Sequence, residues 1–97
     1  MAAVVYSSRA LDHLERTFEF PAQTGPSAAL NSATAIQSAV STLAAHPLIG
    51  RRIEGEIREL VISFGKSGYL ALYRFISHLD VVRVLAIRHQ RELDHPE

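Results

Sequence analysis

The sequence predicts an α+β fold in which an N-terminal strand and a helical hairpin pack on an antiparallel β-sheet. Between residues 57 and 91 lie three apolar runs rich in Val, Ile, Tyr and Phe, separated by Gly-Lys-Ser-Gly (65–68) and His-Leu-Asp (78–80). Runs of this kind, bounded by turn residues, are typical of strands joined by short loops. Before them, within residues 8–46, apolar residues recur every three or four positions, which is typical of helices. The fold class follows from these two patterns.

Length and composition fit one small globular domain that spans residues 1–97. With 97 residues, 47% of them hydrophobic, the chain is too short to close a second core. Ten basic and ten acidic side chains give a formal charge of zero, which argues against a protein that holds long nucleic acids by their phosphates. There is no cysteine, so disulfide and thiolate chemistry are excluded, as suits a cytoplasmic protein. Since no hydrophobic segment has signal-peptide or membrane-spanning length, we expect no membrane association.

The first helix is predicted from the residues that follow a short N-terminal strand. Residues 2–6 are apolar and β-branched in their middle, so we expect an edge strand there. Ser7 and Ser8 are candidate N-caps, because a serine hydroxyl accepts from the free amides of a first helical turn. The helix is expected to run to about Phe20 and to be interrupted by Pro21, which lacks an amide donor. One face of it carries Leu11, Leu14 and Phe18.

The second helix is predicted to begin at Pro26, where the missing amide costs nothing. A narrow apolar stripe follows at spacings of four, three, four and three: Ala29, Ala33, Ile36, Val40 and Leu43. The helix should end near His46-Pro47, and its many alanines allow close approach to a neighbour. We therefore expect residues 8–46 to form an antiparallel hairpin over one face of the sheet, with 48–56 as a loop leading into the meander.

The middle strand indicates that one face of the sheet lacks a cover. Residues 69–76 are apolar on both faces apart from Arg74, as in a strand that is covered on both sides. The hairpin covers only one side, and an uncovered apolar face is unusual on a monomer. The sequence therefore predicts a protein partner for the other side. The stretch from Arg58 to Arg91 carries six basic residues against two acidic ones. This local excess of positive charge indicates that the sheet is the binding surface.

The order of several short motifs resembles a known family. The motifs are Pro47-x-x-Gly50-Arg51, Arg58-Glu59-Leu60, Tyr69-x-x-x-Tyr73-Arg74 and the terminal run Ile87-Arg88-His89-Gln90-Arg91-Glu92. Together they resemble the RelE/ParE superfamily of toxins from bacterial type II toxin–antitoxin systems, from Val4 to Glu92. The resemblance implies a RelE/ParE-like fold and a cognate ParD-like antitoxin that silences the toxin. In that family the C-terminal segment of the antitoxin wraps the toxin as helix and strand, which implies a hetero-oligomer.

Two branches of the family differ in their targets. RelE-like toxins are ribosome-dependent messenger ribonucleases, and ParE-like toxins poison DNA gyrase. The ribonuclease pattern places lysines on the first meander strand, an arginine after Gly-Tyr on the second, an arginine on the last strand and a C-terminal tyrosine. In this chain the corresponding positions fall near Val61 and Ser63 and at Leu70, no tyrosine follows Tyr73, and Arg91 alone matches. With its zero net charge, the sequence therefore favours the ParE-like branch: a gyrase inhibitor used in plasmid stabilisation and not an enzyme.

Candidate binding residues follow from the basic sheet and the first helix. We expect the antitoxin or the target to contact the set Arg58, Arg74, Arg83, Arg88, Arg91, Tyr69, Tyr73, Leu11, Leu14 and Phe18. For some of these a plain alternative stays open: Tyr69 and Tyr73 share a strand face and could be core packing, and Arg58-Glu59 could be an ordinary surface pair.

The alternative reading is a ribonuclease centred on His89, Arg91 and Arg74. His89 and Arg91 are two residues apart, so on a strand they point to the same face and could act as an acid–base and phosphate-binding pair. The plain alternative is a solvated strand end. No cofactor or metal is expected, because the five histidines have no metal-ligand spacing and no Gly-rich phosphate loop is present.

Overall fold

The computed structural model describes residues 1–22, 26–64 and 67–89, apart from the side chains of 17–22, 26–32, 64 and 67. Its helices and strands follow in the order β1 (Ala3–Tyr6), α1 (Ser8–Ala22), α2 (Pro26–Ser41), β2 (Arg51–Glu54), β3 (Ile57–Phe64), β4 (Ser67–Ile76) and β5 (Val81–His89). Short 3-10 turns follow α2 (Thr42–Ala44) and β4 (Ser77–Leu79). The strands form one sheet in the order β1-β5-β4-β3-β2. This confirms the predicted α+β class.

The sheet is mixed, because β1 pairs with β5 in parallel while the other pairs are antiparallel. The predicted three-strand meander corresponds to β3, β4 and β5, and the predicted N-terminal strand is β1. The connection permits parallel pairing: α1, α2 and three strands separate β1 from β5 in sequence, so no tight hairpin joins them. The prediction of an antiparallel sheet therefore holds for four of the five strands.

Strand β2 was not expected, since residues 48–56 were predicted to be a loop. Arg51 pairs with Glu59 and Arg52 with Arg58, with an irregularity between Arg52 and Glu54. All four β2 residues are exposed. A charged edge strand shows no alternation of apolar and polar residues, which is why the sequence pattern did not reveal it.

Helix α1 begins where the serine pair predicted it. The amide of Ala10 donates to Ser7 Oγ at 3.1 Å, so Ser7 is the N-cap and Ser8 the first helical residue. The helix continues through Pro21 to Ala22, two residues past the predicted end. Proline in a last turn removes only one hydrogen bond, so it does not stop the helix at once.

The core lies between the two helices and one face of the sheet. From α2 and the turn after it, Ala33, Ile36, Val40 and Leu43 are buried, which confirms the predicted stripe as far as side chains are described. From α1, Ala10 and Leu14 join them. The sheet contributes Ile62, Tyr69, Ala71, Tyr73, Val82, Val84 and Ile87. Neither helix is long and apolar enough to span a membrane, within the described residues.

Helix α1 also completes the hydrogen bonding of β5 beyond the end of β1. A bulge at Leu85 shifts the β4–β5 register between Leu72 and Tyr73. There the amide of Ser7 donates to Val84 O at 2.9 Å, and its hydroxyl donates to Leu85 O at 3.2 Å. The amide of Ile87 donates to Nδ1 of His13 at 3.1 Å. Ser7 and the side chain of His13 on α1 thus take the place of a strand beside this part of β5.

Candidate functional site

The sheet has a second face, opposite the helices, which we call the open face. Because directly paired residues share a face, the β4 residues Leu70, Leu72, Arg74 and Ile76 and their partners on β3 and β5 point away from the core. Both described helices pack on the other side, where the core residues lie. Any cover for the open face must come from outside the described elements.

The open face combines exposed apolar and basic side chains. Val61 on β3 is 56% exposed and Val5 on β1 is 49% exposed. Between them lie Leu72 and Leu85, which are half-buried, and Leu70 and Ala86, which are buried. The predicted binding residues Arg74, Arg83 and Arg88 are all exposed, and the register puts them on this face. An apolar surface with basic side chains is typical of a protein interface.

Two arginines lie directly opposite each other on the open face. Arg74 pairs with Arg83 across β4 and β5, and like charges in that position destabilise a sheet, typically by a few tenths of a kcal/mol. Arg74 is partly compensated by Glu56, whose Oε1 lies 3.3 Å from its Nη2. Both partners are largely exposed, so this ion pair contributes little to stability. The positive potential of the pair therefore remains available to an anionic partner.

Arg58 and Glu59, a possible surface pair in the sequence, face opposite sides of β3. The partner of Glu59 is Arg51, with 2.8 Å between Nη2 and Oε1. Arg58 instead donates from Nη1 to the main-chain oxygens of Gly50 at 2.8 Å and Leu48 at 3.2 Å. It holds the loop before β2 against the sheet, which is a structural role that the sequence did not reveal.

Several predicted binding residues lie in the core. Tyr73 is fully buried, Tyr69 is 4% exposed and Leu14 is 8% exposed. These side chains cannot reach a partner without rearrangement, so the structure favours the core-packing alternative for them. Leu11, by contrast, is 49% exposed at the edge of the α1 stripe. The side chain of Phe18 and the whole of Arg91 fall outside the described residues.

Of the residues of the ribonuclease alternative, the two that the structure describes, His89 and Arg74, lie on opposite faces of the sheet. His89 pairs with Tyr69, and the two rings meet edge to face with centroids 5.0 Å apart. This contact places the imidazole on the helix side of the sheet. Arg74 is five residues along β4 from Tyr69, roughly 16 Å away by the rise of a strand, and points to the open face. His89 and Arg74 are therefore far apart, whereas the predicted acid–base and phosphate-binding pair of His89 and Arg91 stays a prediction, because Arg91 falls outside the described residues.

A cleft at one end of the sheet was missed by the sequence reasoning. It has a volume of about 480 Å³ and is lined by residues from the loop before β2, the β2–β3 turn and the end of β4. Arg52, Arg58 and Arg74 line it, with Glu56 as its carboxylate. The signal in the sequence is the pair Arg51-Arg52 followed by Arg58, which is visible only once β2 is recognised as a strand. Among described residues no group of three or more His, Asp or Glu side chains could hold a metal ion.

Comparison with known proteins gives a consistent result. Residues 4–94 match a family model described as the ParE toxin of the type II toxin–antitoxin system parDE. A curated protein of Caulobacter vibrioides named Toxin RelE3 is 36% identical over 92 residues, which covers 95% of this chain and 98% of that protein.

Solved structures resemble the fold at lower identity. A chain of the chromosomal ParDE system from P. aeruginosa superposes with a TM-score of 0.74 at 22% identity, covering 92% of this chain and 96% of the other. A chain of the intact E. coli RelBE toxin–antitoxin complex gives a TM-score of 0.59 at 15% identity, with coverages of 91% and 95%. At these identities the two structures show that their fold is similar to that of this chain, and nothing more.

Proposed function

Because this chain belongs to the ParE toxin family of type II toxin–antitoxin systems, we propose that it inhibits DNA gyrase and is silenced by a ParD-like antitoxin that covers the open face. The observation that supports this most is the open face itself, with exposed Val5 and Val61 beside exposed arginines. Two solved structures of this fold come from toxin–antitoxin systems, and one of them is an intact toxin–antitoxin complex, which supports an antitoxin as the partner. The protein acts in the cytoplasm, where its target and its antitoxin are.

The antitoxin segment suited to the open face is apolar with acidic residues. Leucine or isoleucine side chains would pack on Leu72, Leu85 and Val61, while carboxylates would pair with Arg74 and Arg83. Such a segment relieves the repulsion between the two opposed arginines and buries apolar area, each of which favours the complex. A segment that folds on binding fits a regulator that is removed when the toxin is released.

The gyrase target is supported by the lack of basic side chains at several positions where RelE-like ribonucleases carry them. Val61, Ser63 and Leu70 stand at or near those positions, and the register brings Arg88 opposite Leu70. Cleavage of RNA needs a base, an acid and cations on the scissile phosphate, whereas valine and leucine offer none of these. A role in binding a protein target needs no such set.

A second candidate is a RelE-like ribonuclease, which is favoured by the name of the Caulobacter relative, Toxin RelE3. Its candidate residues are His89, Arg74 and Arg91. His89 and Arg74 lie on opposite faces of the sheet, which argues against their acting together.

Two assays on the purified chain distinguish the candidates. Gyrase supercoiling of relaxed plasmid should be inhibited by the chain and restored by added antitoxin, while messenger RNA on ribosomes stays intact. Cut transcripts at ribosomes with undisturbed supercoiling would refute the gyrase proposal. His89→Gln serves as the matched variant: it should abolish cleavage by a ribonuclease and leave gyrase inhibition within about twofold, provided thermal unfolding shows that the variant is folded.

A further inference from the structure

The cleft at the end of the sheet is a basic pocket with an apolar floor. We call it the Arg74 cleft, lined by Leu48, Arg52, Glu56, Arg58, Arg74 and His78. Phe75 and Ile76, both half-buried, contribute apolar surface to it. Arg52, Arg58 and Arg74 thus line a space of about 480 Å³ together with one acidic residue, Glu56. The excess of positive charge is local, since the chain as a whole has a net charge of zero.

Two of the three guanidinium groups are held by main-chain oxygens, and the third contacts Glu56. Arg52 Nε donates to Gly55 O at 3.0 Å, and Arg58 Nη1 donates to Gly50 O at 2.8 Å. Arg74 Nη2 contacts Glu56 Oε1 at 3.3 Å. A guanidinium carries five N–H donors, so each group keeps donors for a ligand after these contacts are made. Fixed side chains lose less entropy when a ligand binds, so Arg52 and Arg58 are preorganised for an anion.

The chain's own carboxylate in the cleft is easily replaced. Glu56 lies in the β2–β3 turn with its side chain 72% exposed, and Arg74 is 47% exposed. A single contact of 3.3 Å between exposed groups is weak. A carboxylate from outside that reaches Arg74 together with Arg52 would have two cations instead of one, and the glutamate would turn to solvent at little cost.

We propose that the Arg74 cleft binds a carboxylate of an acidic peptide segment, which displaces Glu56 from Arg74. The apolar floor favours a carboxylate on a hydrocarbon stem, and Leu48 and Leu79, which are 58% and 61% exposed, lie on or next to the cleft lining and could take a neighbouring apolar side chain. The absence of net positive charge disfavours a polyphosphate chain, which is attracted by a long-range basic field. The cleft adjoins the open face through Arg74, so the proposal rests on the proposed function and extends its binding surface around the end of the sheet, but its test requires neither antitoxin nor gyrase.

The test is a titration of the isotope-labelled chain, followed by NMR, with two five-residue peptides. One is acetyl-Leu-Glu-Asp-Leu-Glu-amide, and its matched control is acetyl-Leu-Gln-Asn-Leu-Gln-amide. The acidic peptide should shift the amide signals of Arg52, Glu56, Arg74 and His78 to saturation, and the neutral peptide should not. Equal shifts with both peptides, or shifts confined to open-face residues outside the cleft such as Leu72, Arg83 and Arg88, would overturn the proposal.

Two variants give effects of opposite sign. Glu56→Gln removes the internal competitor and should lower the dissociation constant of the acidic peptide about threefold, whereas Arg74→Gln should raise it about three- to tenfold. Arg9→Gln, at an exposed position on α1, is the control for the change in net charge. It should change the dissociation constant of the acidic peptide less than twofold. Weaker binding by Glu56→Gln would overturn the proposal. Inorganic phosphate is a further arm: if it shifts the same amides with equal affinity, the site recognises phosphate and the peptide assignment is wrong.

Discussion

At the scale of single residues, the Gly50–Tyr73 contact explains two family motifs at once. The amide of Gly50 donates to the Tyr73 hydroxyl at 2.8 Å, and a Cβ on residue 50 would lie 2.6 Å from that oxygen and 2.8 Å from Glu59 O. Only glycine fits such an approach. The glycine of the Pro47-x-x-Gly50-Arg51 motif and the second tyrosine of Tyr69-x-x-x-Tyr73-Arg74 are therefore partners, although the sequence places them 23 residues apart. Spacing along the chain carries no signal of that contact, so Tyr73 was predicted at the binding surface as well as in the core.

Replacing Tyr73 by Phe should destabilise the fold while keeping the ring in the core. The buried amide of Gly50 loses its acceptor, and an unsatisfied buried donor costs about 1–3 kcal/mol. Urea unfolding followed by circular dichroism measures this change in the free energy of unfolding. Tyr69→Phe is the matched control, since Tyr69 is also buried. An equal or smaller loss in Tyr73→Phe than in Tyr69→Phe would contradict the role given to the hydroxyl.

Alkaline pH should weaken the fold through the same residue. Burial raises the pKa of Tyr73 above its usual value of 10.0, against the lowering effects of the Gly50 amide and the Arg58 charge, and burial also raises the pKa of Tyr6. In the folded state each phenol holds its proton to higher pH than in the unfolded chain. The stability that comes from keeping these phenols protonated is present below about pH 10 and is lost as pH rises further. The urea midpoint should fall as pH rises above about 10, and less steeply in Tyr73→Phe. A midpoint independent of pH, or the same slope in the variant, would contradict the assignment.

At the scale of elements, the strongly patterned segments were predictable and the irregular ones were not. The apolar stripe from Ala33 to Leu43 and the N-cap at Ser7 predicted the helices. Turn residues in the sequence predicted the boundaries between β3, β4 and β5. Strand β2 was missed because every one of its residues is exposed, so it pairs through its backbone without an apolar face. The bulge at Leu85 and the role of His13 depend on how α1 meets β5, which no local pattern encodes.

His13→Ala should loosen β5 where α1 replaces a strand. The amide of Ile87 loses its acceptor Nδ1, at a cost of about 1 kcal/mol. Its hydrogen exchange should accelerate by about fivefold or more, as such a loss implies. His13→Asn, whose side-chain oxygen lies near the same position, should recover part of the protection, and His46→Ala, at an exposed site, should leave it unchanged. Unaltered exchange of Ile87 in His13→Ala would show that the contact does not support the strand.

At the scale of the whole molecule, the asymmetry of the sheet was predictable and the details of its binding surface were only partly so. The apolar residues on both sides of β4 indicated a face without a helix, and Arg74, Arg83 and Arg88 lie there together. Arg58 was expected on the same surface, but its carbonyl contacts hold it on the helix side of β3. The direction of each arginine depends on strand register, which a one-residue shift reverses, so composition alone could not separate binding arginines from structural ones.

The central claim is that the antitoxin covers the open face, and solvent exposure of methyl groups tests it most directly. Methyl-labelled chain is measured by NMR with a soluble paramagnetic probe, first alone and then with saturating antitoxin. We predict that the strong relaxation of the Val5 and Val61 methyls in the free chain falls severalfold in the complex, while the buried methyls of Val82 and Val84 stay protected in both states. If Val5 and Val61 keep their full relaxation in a complex that has formed, the antitoxin binds elsewhere and the account is contradicted.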